Sequence, residues 1–298
     1  MKPLPRLRLF LPVIKALSII AVLALVLGLV WRFGPREIAL LGPVDVAVPA
    51  VTELEAWAAA TEADVRPGQA RQIVWAGAPG LSQDLALVYL HGFSAGAQEI
   101  APVSQQVAAA LGANLFITRL TGHGLDGAAL AQASAADWWR DTAEALAVGR
   151  RLGKKVVLIG TSTGATLVAE AARDPVLGPQ IDGAVLISPN FGLKNPLARL
   201  LTWPFARLWV PMIAGKQRCF RAWNDLHAQA STTCYPTVAL LPVAALIAHA
   251  AQSDFRTAHQ PALLIWSDMD QVIDPLAVAA AADGWGGPVQ SVRVTLGA

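Results

Sequence analysis

The segment 160–164, with the sequence GTSTG, constrains this chain more than any other feature. It lies between a short apolar run at 155–160, which is typical of a buried strand, and a helical pattern at 163–172. Glycine two residues before and after a serine fits a sharp turn from strand to helix, because larger side chains there would collide with neighbouring elements. We therefore predict that Ser162 lies in a strained turn with its hydroxyl available as a nucleophile. A flexible loop rich in glycine and serine is the alternative.

Strand-like and helix-like segments alternate along the chain from residue 71 onward. Short apolar runs predict strands at 85–90, 114–120, 155–160, 183–188, 263–266 and 291–296. Apolar residues at helical spacing predict helices at 100–111, 135–152, 163–172 and 276–282. This alternation predicts the α/β class, with a mostly parallel sheet and helices on both faces. An insertion at about 191–259 interrupts the alternation of strands and helices, and we expect it to form a helical lid over the carboxyl edge of the sheet.

A nucleophilic serine of this kind needs two N–H donors for the oxyanion that forms during acyl transfer. One donor is expected from the residue after the nucleophile, Thr163, and the second from the turn after an earlier strand. The strand at 85–90 ends at His91-Gly92-Phe93, so the backbone N–H of Phe93 is our candidate. Gly92 would allow close approach of the backbone, and His91 is interpreted as a structural residue of the turn.

Several motifs follow one another in a characteristic order: the HGF turn at 91–93, GHG at 122–124, a helix with Trp138, GTSTG and then the lid. In this order they resemble the monoacylglycerol-lipase-like branch of the α/β hydrolases, which also contains serine aminopeptidases. The resemblance covers about residues 71–298. It implies an α/β-hydrolase fold and a serine hydrolase acting on an ester or lipid, with a peptidase as a near neighbour. It also implies that His123 is a structural loop residue.

The catalytic acid of this fold follows the serine in the chain and precedes the histidine. Three carboxylates compete in the segment after the strand at 263–266, namely Asp268, Asp270 and Asp274. The pattern of the resembled family places the acid before a short apolar pair, so Asp270 is our choice and Asp268 the alternative. Asp274 precedes a proline and is predicted to cap a helix.

The catalytic histidine is expected after the last strand, yet the printed sequence holds no histidine beyond His259. Without a base, a serine at its free pKa is a poor nucleophile. We expect the reading frame to continue into a loop that contains the histidine. Substitution by His259 and a catalytically inactive, membrane-tethered binding protein are the two alternatives. His227 and His249 are interpreted as surface or packing residues.

The amino-terminal segment 1–35 is expected to be a membrane anchor. Residues 16–31 carry no charge, which approaches the roughly 20 apolar residues of a spanning helix. Lys2, Arg6, Arg8 and Lys15 concentrate positive charge on the amino-terminal side. We therefore expect the amino end in the cytoplasm and the hydrolase domain, residues 36–298, on the non-cytoplasmic side. A cleaved signal peptide is the rival, but the run ends in Gly-Leu-Val-Trp-Arg, a poor cleavage site, so we favour an uncleaved signal-anchor.

The charge and composition of the chain indicate which classes of binding partner to expect. The formal net charge is +2 and no basic run is interleaved with aromatic residues, so we expect no nucleic-acid partner. The expected partners are a small acyl ester or lipid and the membrane; no metal or organic cofactor is expected, and the oligomeric state is left open. Two cysteines, Cys219 and Cys234, fit no zinc pattern and could form a disulfide if exported. Tryptophans at 203, 209 and 223 either pack in a core or line an apolar acyl site.

Overall fold

In the computed structural model, residues 5–60, 62 and 64–295 are described, with backbone alone for 5–12. Lys2 and residue 296, which the sequence analysis used, lie outside the described residues. The helices are α1 Pro5–Phe33, α2 Leu54–Ala60, α3 Val103–Leu111, α4 Gly127–Gln132, α5 Ala135–Leu152, α6 Thr163–Arg173, α7 Ala206–Ile213, α8 Asp225–Ala230, α9 Leu240–Ala250 and α10 Pro275–Asp283. The strands are β1 Gln72–Val74, β2 Gln83–Leu90, β3 Asn114–Ile117, β4 Gly153–Thr161, β5 Gly183–Ile187, β6 Gln217–Cys219, β7 Cys234–Pro236, β8 Ala262–Trp266 and β9 Val289–Arg293.

The main sheet has the strand order β1-β3-β2-β4-β5-β8-β9. All neighbouring pairs are parallel except β1 with β3, which is antiparallel. The prediction of an α/β fold with a mostly parallel sheet is therefore confirmed. Because β2, β4, β5 and β8 run in the same direction, the segments that follow them meet at one edge of the sheet. That edge carries the candidate site.

Most predicted elements occur with small differences at their ends. Helix α5 has the predicted bounds, and it begins with a capping box in which Ser134 and Asp137 satisfy each other's backbone N–H groups. The strand expected at 114–120 ends earlier, at Ile117. Beyond it the chain leaves the sheet, and the N–H of Leu120 donates instead to the Nε2 of His91.

The main core lies between the sheet and its flanking helices. Trp138 and Trp139 on α5 are buried in it, and each indole N–H donates to a backbone carbonyl, of Thr121 and Gly42 respectively. Gly149 permits close packing of α5 on the sheet, since a Cβ at this position would lie 2.6 Å from Val88. These contacts fix α5 beneath the strands that end at the candidate site.

The insertion between β5 and β8 contains α7, α8, α9 and a small antiparallel pair, β6 with β7. Cys219 and Cys234 are paired directly across these two strands and form a disulfide. Helix α9 packs on α6, and its Val243, Leu246 and Ile247 belong to the main core. The insertion therefore combines a rigidly packed helix with an exposed portion around α7 and α8.

Helix α1 contains one candidate membrane span, Val13–Phe33, whose side chains are exposed throughout. By length and composition it suits either a membrane anchor or a signal sequence. Its carboxyl end touches the insertion, because Trp31 stacks edge-on against Trp203 at 5.3 Å and Pro35 accepts a hydrogen bond from the N–H of Phe205. The chain between this point and α2 has no regular secondary structure until Val51.

Candidate active site

Ser162 lies between the last residue of β4 and the first residue of α6. Its backbone has φ 51° and ψ −113°, a conformation that costs a non-glycine residue energy and persists only where the surroundings enforce it. Its N–H donates to the carbonyl of Ile187 on the neighbouring strand at 2.8 Å. The strained strand-to-helix turn inferred from the GTSTG segment is present in the structure.

The two glycines of this turn have the steric roles that the sequence analysis assigned to them. A Cβ at Gly164 would collide with the carbonyl oxygens of Leu90 and His91 at the end of β2. A Cβ at Gly160 would lie 2.5 Å from the backbone of Gly164 and Ala165 at the start of α6. The turn can therefore form only where both positions lack a side chain.

The HGF turn lies directly beside Ser162, because β2 and β4 are neighbours and end together. A Cβ at Gly92 would lie 3.3 Å from the Cβ of Ser162. Within the described residues the N–H of Phe93 has no acceptor. The N–H of Thr163 belongs to the first turn of α6, where helix geometry leaves such groups without a partner inside the helix. Two unused N–H donors thus lie on the residues that the sequence singled out.

Two buried histidines hold the loops around this turn. His91 accepts from the N–H of Leu120 at Nε2, and its Nδ1 lies 2.9 Å from the carbonyl of Gly92. His123 accepts from the N–H of Ser94 at Nε2 and contacts the carbonyl of Thr121 at Nδ1. Burial lowers the pKa of His91 to about 4 and also lowers the pKa of His123. Both imidazoles are therefore neutral, and each ring nitrogen has a backbone partner in the surrounding loops. This agrees with the interpretation of His91 and His123 as structural residues.

The three acidic residues after β8 have different environments. Asp274 caps α10 by accepting from the N–H of Leu276, with a proline at the first helical position, so its predicted capping role is confirmed. Asp268 is exposed and lies 3.4 Å from Arg293. Asp270 accepts from the N–H groups of Val272 and Ile273 through Oδ1, which orients its carboxylate in the loop. Since β8 is parallel to β4, this loop and Ser162 lie at the same edge of the sheet.

The three remaining histidines have other partners than Ser162. His259 is exposed and precedes β8, which places it at the opposite edge of the parallel strands. His249, at the end of α9, lies 3.5 Å from the carboxylate of Glu170. His227 accepts from the N–H of Trp223 in the insertion. The alternative in which His259 serves as the base is therefore wrong on geometry, and none of the described histidines forms a hydrogen bond with Ser162.

A cavity of about 580 Å³ opens beside the HGF turn. Its walls come from that turn, from the segment at 67–69 and from the insertion, whose Phe220, Trp223 and His227 contribute aromatic rings. Of the three tryptophans considered for an acyl site, Trp223 lines this cavity and Trp203 lines a second one of about 540 Å³ near Trp31. The insertion thus contributes to a pocket that borders the HGF turn, although Ser162 is not among the residues that line it.

Sequence reasoning missed one residue of the site, Glu99. Its Oε2 accepts from the hydroxyl of Tyr89 at 2.6 Å and from the N–H of Gly92 at 2.8 Å. Burial raises the pKa of the Glu99 carboxyl, and these two hydrogen bonds oppose that rise. The one available signal was an acidic residue in an apolar and small-residue stretch directly after the HGF turn.

Comparison with known families and structures agrees with this geometry. The model of a hydrolase family described as serine aminopeptidase, S33, matches residues 82–297, which is more than two thirds of the chain. No curated protein matches the sequence.

Several solved structures share the fold at low sequence identity. A structure from a study of LipS and LipT, two metagenome-derived lipolytic enzymes, has a TM-score of 0.64 at 20% identity and covers 78% of this chain and 89% of its own. The monoacylglycerol lipase of Paleococcus ferrophilus has a TM-score of 0.52 at 13% identity and covers 75% and 88%. The monoglyceride lipase of Saccharomyces cerevisiae has a TM-score of 0.52 at 11% identity and covers 75% and 82%. At these identities the likeness establishes the fold alone.

Proposed function

The chain belongs to the serine aminopeptidase (S33) family of α/β hydrolases, and from this premise we propose that it is a serine hydrolase that cleaves carboxylic esters through an acyl-serine intermediate. The observation that carries the proposal is the strained turn at Ser162, which lies between two unused backbone N–H groups. Backbone strain that the surrounding structure enforces on a non-glycine residue is typical of a functional site.

In the proposed reaction, Oγ of Ser162 attacks the ester carbonyl carbon and loses its proton to a base. The N–H groups of Phe93 and Thr163 stabilise the negative charge that develops on the carbonyl oxygen. Collapse of the tetrahedral intermediate breaks the bond to the alkoxy group, which takes a proton and leaves as the alcohol. Water then attacks the acyl-serine by the same route, which releases the carboxylic acid and restores Ser162.

We assign Asp270 as the carboxylate that orients the base. Its loop follows β8 at the edge that carries Ser162, and hydrogen bonds from Val272 and Ile273 hold one oxygen, which leaves the other for a partner. A histidine is the base that this arrangement serves in the triad mechanism. Asp268 remains the alternative acid, since it follows the same strand.

The substrate we propose is a lipid or another acyl ester. This proposal is supported by the rings of Phe93, Phe220 and Trp223, which line the 580 Å³ cavity together with polar side chains, and by its volume, which is in the range of ordinary small-molecule sites. It is also consistent with the lipolytic activity named for structural neighbours. A serine peptidase on the same framework is the near alternative, as the family description indicates.

We propose further that residues 1–35 anchor the protein in a membrane and that the domain at 36–298, with its lid insertion at about 191–259, lies on the non-cytoplasmic side. The exposed apolar helix Val13–Phe33 supports an anchor, and the basic residues before it support this orientation. The disulfide between Cys219 and Cys234 agrees with an oxidising compartment.

A catalytically inactive binding protein is the second candidate. One observation favours it, namely that no histidine among the described residues forms a hydrogen bond with Ser162. Such a protein would keep the cavity and the membrane anchor but would not form an acyl-serine.

A fluorophosphonate probe tests the proposal, because it reacts with activated serines. We expect the purified chain in detergent to be labelled, the Ser162→Ala variant to lose labelling, and a matched Ser291→Ala variant at an exposed strand position to keep it. A folded chain that is not labelled would contradict an activated Ser162 and favour the binding protein.

A further inference from the structure

We propose that Glu99 makes the cavity beside the HGF turn a receptor for a cationic group of the substrate, such as an ammonium or trimethylammonium group. This inference rests on the proposed function, because it names the class of ester that the same site would accept. The carboxylate and the aromatic rings around it would provide the attraction.

The Glu99 carboxylate is held firmly by one oxygen. Its Oε2 accepts from the hydroxyl of Tyr89 and the N–H of Gly92, and the Tyr89 oxygen lies 3.1 Å from Oγ1 of Thr161, the residue before the nucleophile. Tyr89 itself is completely buried. These bonds tie the carboxylate to the ends of β2 and β4, so it cannot turn away towards solvent without breaking two hydrogen bonds.

The other oxygen of Glu99 is free to meet a ligand. No described residue forms a hydrogen bond with Oε1. A Cβ placed on Gly92 would lie 2.8 Å from Oε1 and 3.3 Å from the Cβ of Ser162, so the carboxylate and the nucleophile lie close together on the same face of this glycine. A charge bound at Oε1 would therefore belong to a molecule whose ester could reach Ser162.

The electrostatics of the cavity favour a cation. Among the described residues that line it, Glu99 is the only aspartate, glutamate, lysine or arginine, and His227 is the only other titratable side chain. Phe93, Phe220 and Trp223 line the same cavity, and Trp223 is 91% exposed, so its ring face is accessible. Aromatic faces attract ammonium and quaternary ammonium groups, and the attraction grows when water is excluded. The Glu99 carboxylate is half-buried and has no cationic partner among the described residues, which is unfavourable, whereas a bound cation would compensate its charge.

Two esters of equal shape and different charge test this inference. Acetylcholine carries a trimethylammonium group, and 3,3-dimethylbutyl acetate carries a neutral tert-butyl group in its place. At about pH 8, where an ordinary imidazole is neutral, we expect the full chain to hydrolyse the cationic ester with a kcat/KM about tenfold higher than that of the neutral ester. The Glu99→Gln variant should bring this ratio close to one, while Glu53→Gln, the same change at an exposed surface position, should leave it unchanged.

The ratio of the two kcat/KM values distinguishes recognition of the cation by Glu99 from positioning of the HGF turn by Glu99. Glu99→Gln also alters a hydrogen bond to the HGF turn, which could slow both esters, but such an effect cancels in the ratio. Equal losses for the two esters would show that Glu99 only positions the turn and would overturn the inference.

A binding measurement keeps the test independent of catalysis. We expect choline to bind the chain about tenfold more tightly than 3,3-dimethylbutan-1-ol in a fluorescence or calorimetric titration, and Glu99→Gln to abolish the difference. Trp223→Leu should weaken choline binding and leave binding of the neutral alcohol nearly unchanged. If neither ester is hydrolysed and choline still binds selectively, the proposed function fails while the cation site stands. Equal binding of the two alcohols would refute the cation site.

Discussion

Replacing Glu62 by glutamine should destabilise the domain and disturb the candidate oxyanion site at a distance. The Glu62 carboxylate receives charged hydrogen bonds from two guanidinium groups, with Arg71 Nε at 3.0 Å and Arg119 Nε at 2.7 Å. The three side chains are only 5%, 10% and 12% exposed. The substitution would place an amide N–H₂ against donors and leave Arg119 without a carboxylate partner, whereas Arg71 would keep its ion pair with Glu144.

The size of the effect follows from burial. Breaking a buried ion pair by removing one partner costs about 3–5 kcal/mol, because the remaining charge is left uncompensated. For a domain of this size that corresponds to a decrease in Tm of roughly 6–15 °C. The exposed pair between Lys154 and Asp84, whose side chains are 79% and 90% exposed, provides the control, and Asp84→Asn should leave Tm unchanged.

The same change should reach the candidate site through a chain of hydrogen bonds. Arg119 donates to the carbonyl of His123, and the ring of His123 accepts from the N–H of Ser94, next to Phe93. We therefore expect Glu62→Gln to slow fluorophosphonate labelling of Ser162 even below its unfolding temperature. Thermal unfolding followed by circular dichroism and labelling kinetics measure the two effects. A Tm within 2 °C of the parent's, where a decrease of at least about 6 °C is expected, would refute the reasoning.

Three further predictions address pH, catalysis and the turn. Burial raises the pKa of Asp141 to about 7, so the folded state favours its protonated form. The free energy of unfolding should therefore fall by about 1.4 kcal/mol per pH unit as the pH rises from about 4 to 7, and it should stay level above pH 7. Asp141→Asn should remove this part of the pH dependence in denaturant titrations. Identical slopes in the two proteins would contradict that shift. Asp270→Asn should lower kcat/KM on an activated ester about ten-thousand-fold while Asp268→Asn changes it little, and the reverse pattern would make Asp268 the acid. Gly164→Ala should lower the free energy of unfolding by about 1–3 kcal/mol and abolish labelling of Ser162, whereas Gly42→Ala, where a Cβ meets nothing within 4 Å, should be tolerated. Equal stability of the two variants would argue against the tight turn.

Local sequence signals determined much of this protein. The alternation of apolar runs and helical spacing predicted the sheet and the bounds of α5, because those patterns depend on neighbours within one element. The spacing of Gly160, Ser162 and Gly164 predicted the turn between β4 and α6, since the steric demand of that turn is met by residues two positions apart. Asp274 before a proline predicted the cap of α10 for the same reason.

Other features were decided by the tertiary structure alone. Nothing in the order of the chain joins Glu62 to Arg119, because a helix, three strands and several loops separate these residues, which are 57 positions apart. The pairing of Tyr89 with Glu99 depends on the path of the irregular turn between them, which no periodic pattern describes. The pairing of Cys219 with Cys234 depended on a short β-pair that local patterns did not reveal. His259 lay near the lid in the sequence, but the direction of β8 places it at the wrong edge of the sheet. Periodicity records which face of an element is buried, whereas the identity of the groups that meet there depends on how the elements pack, and only the folded chain decides that.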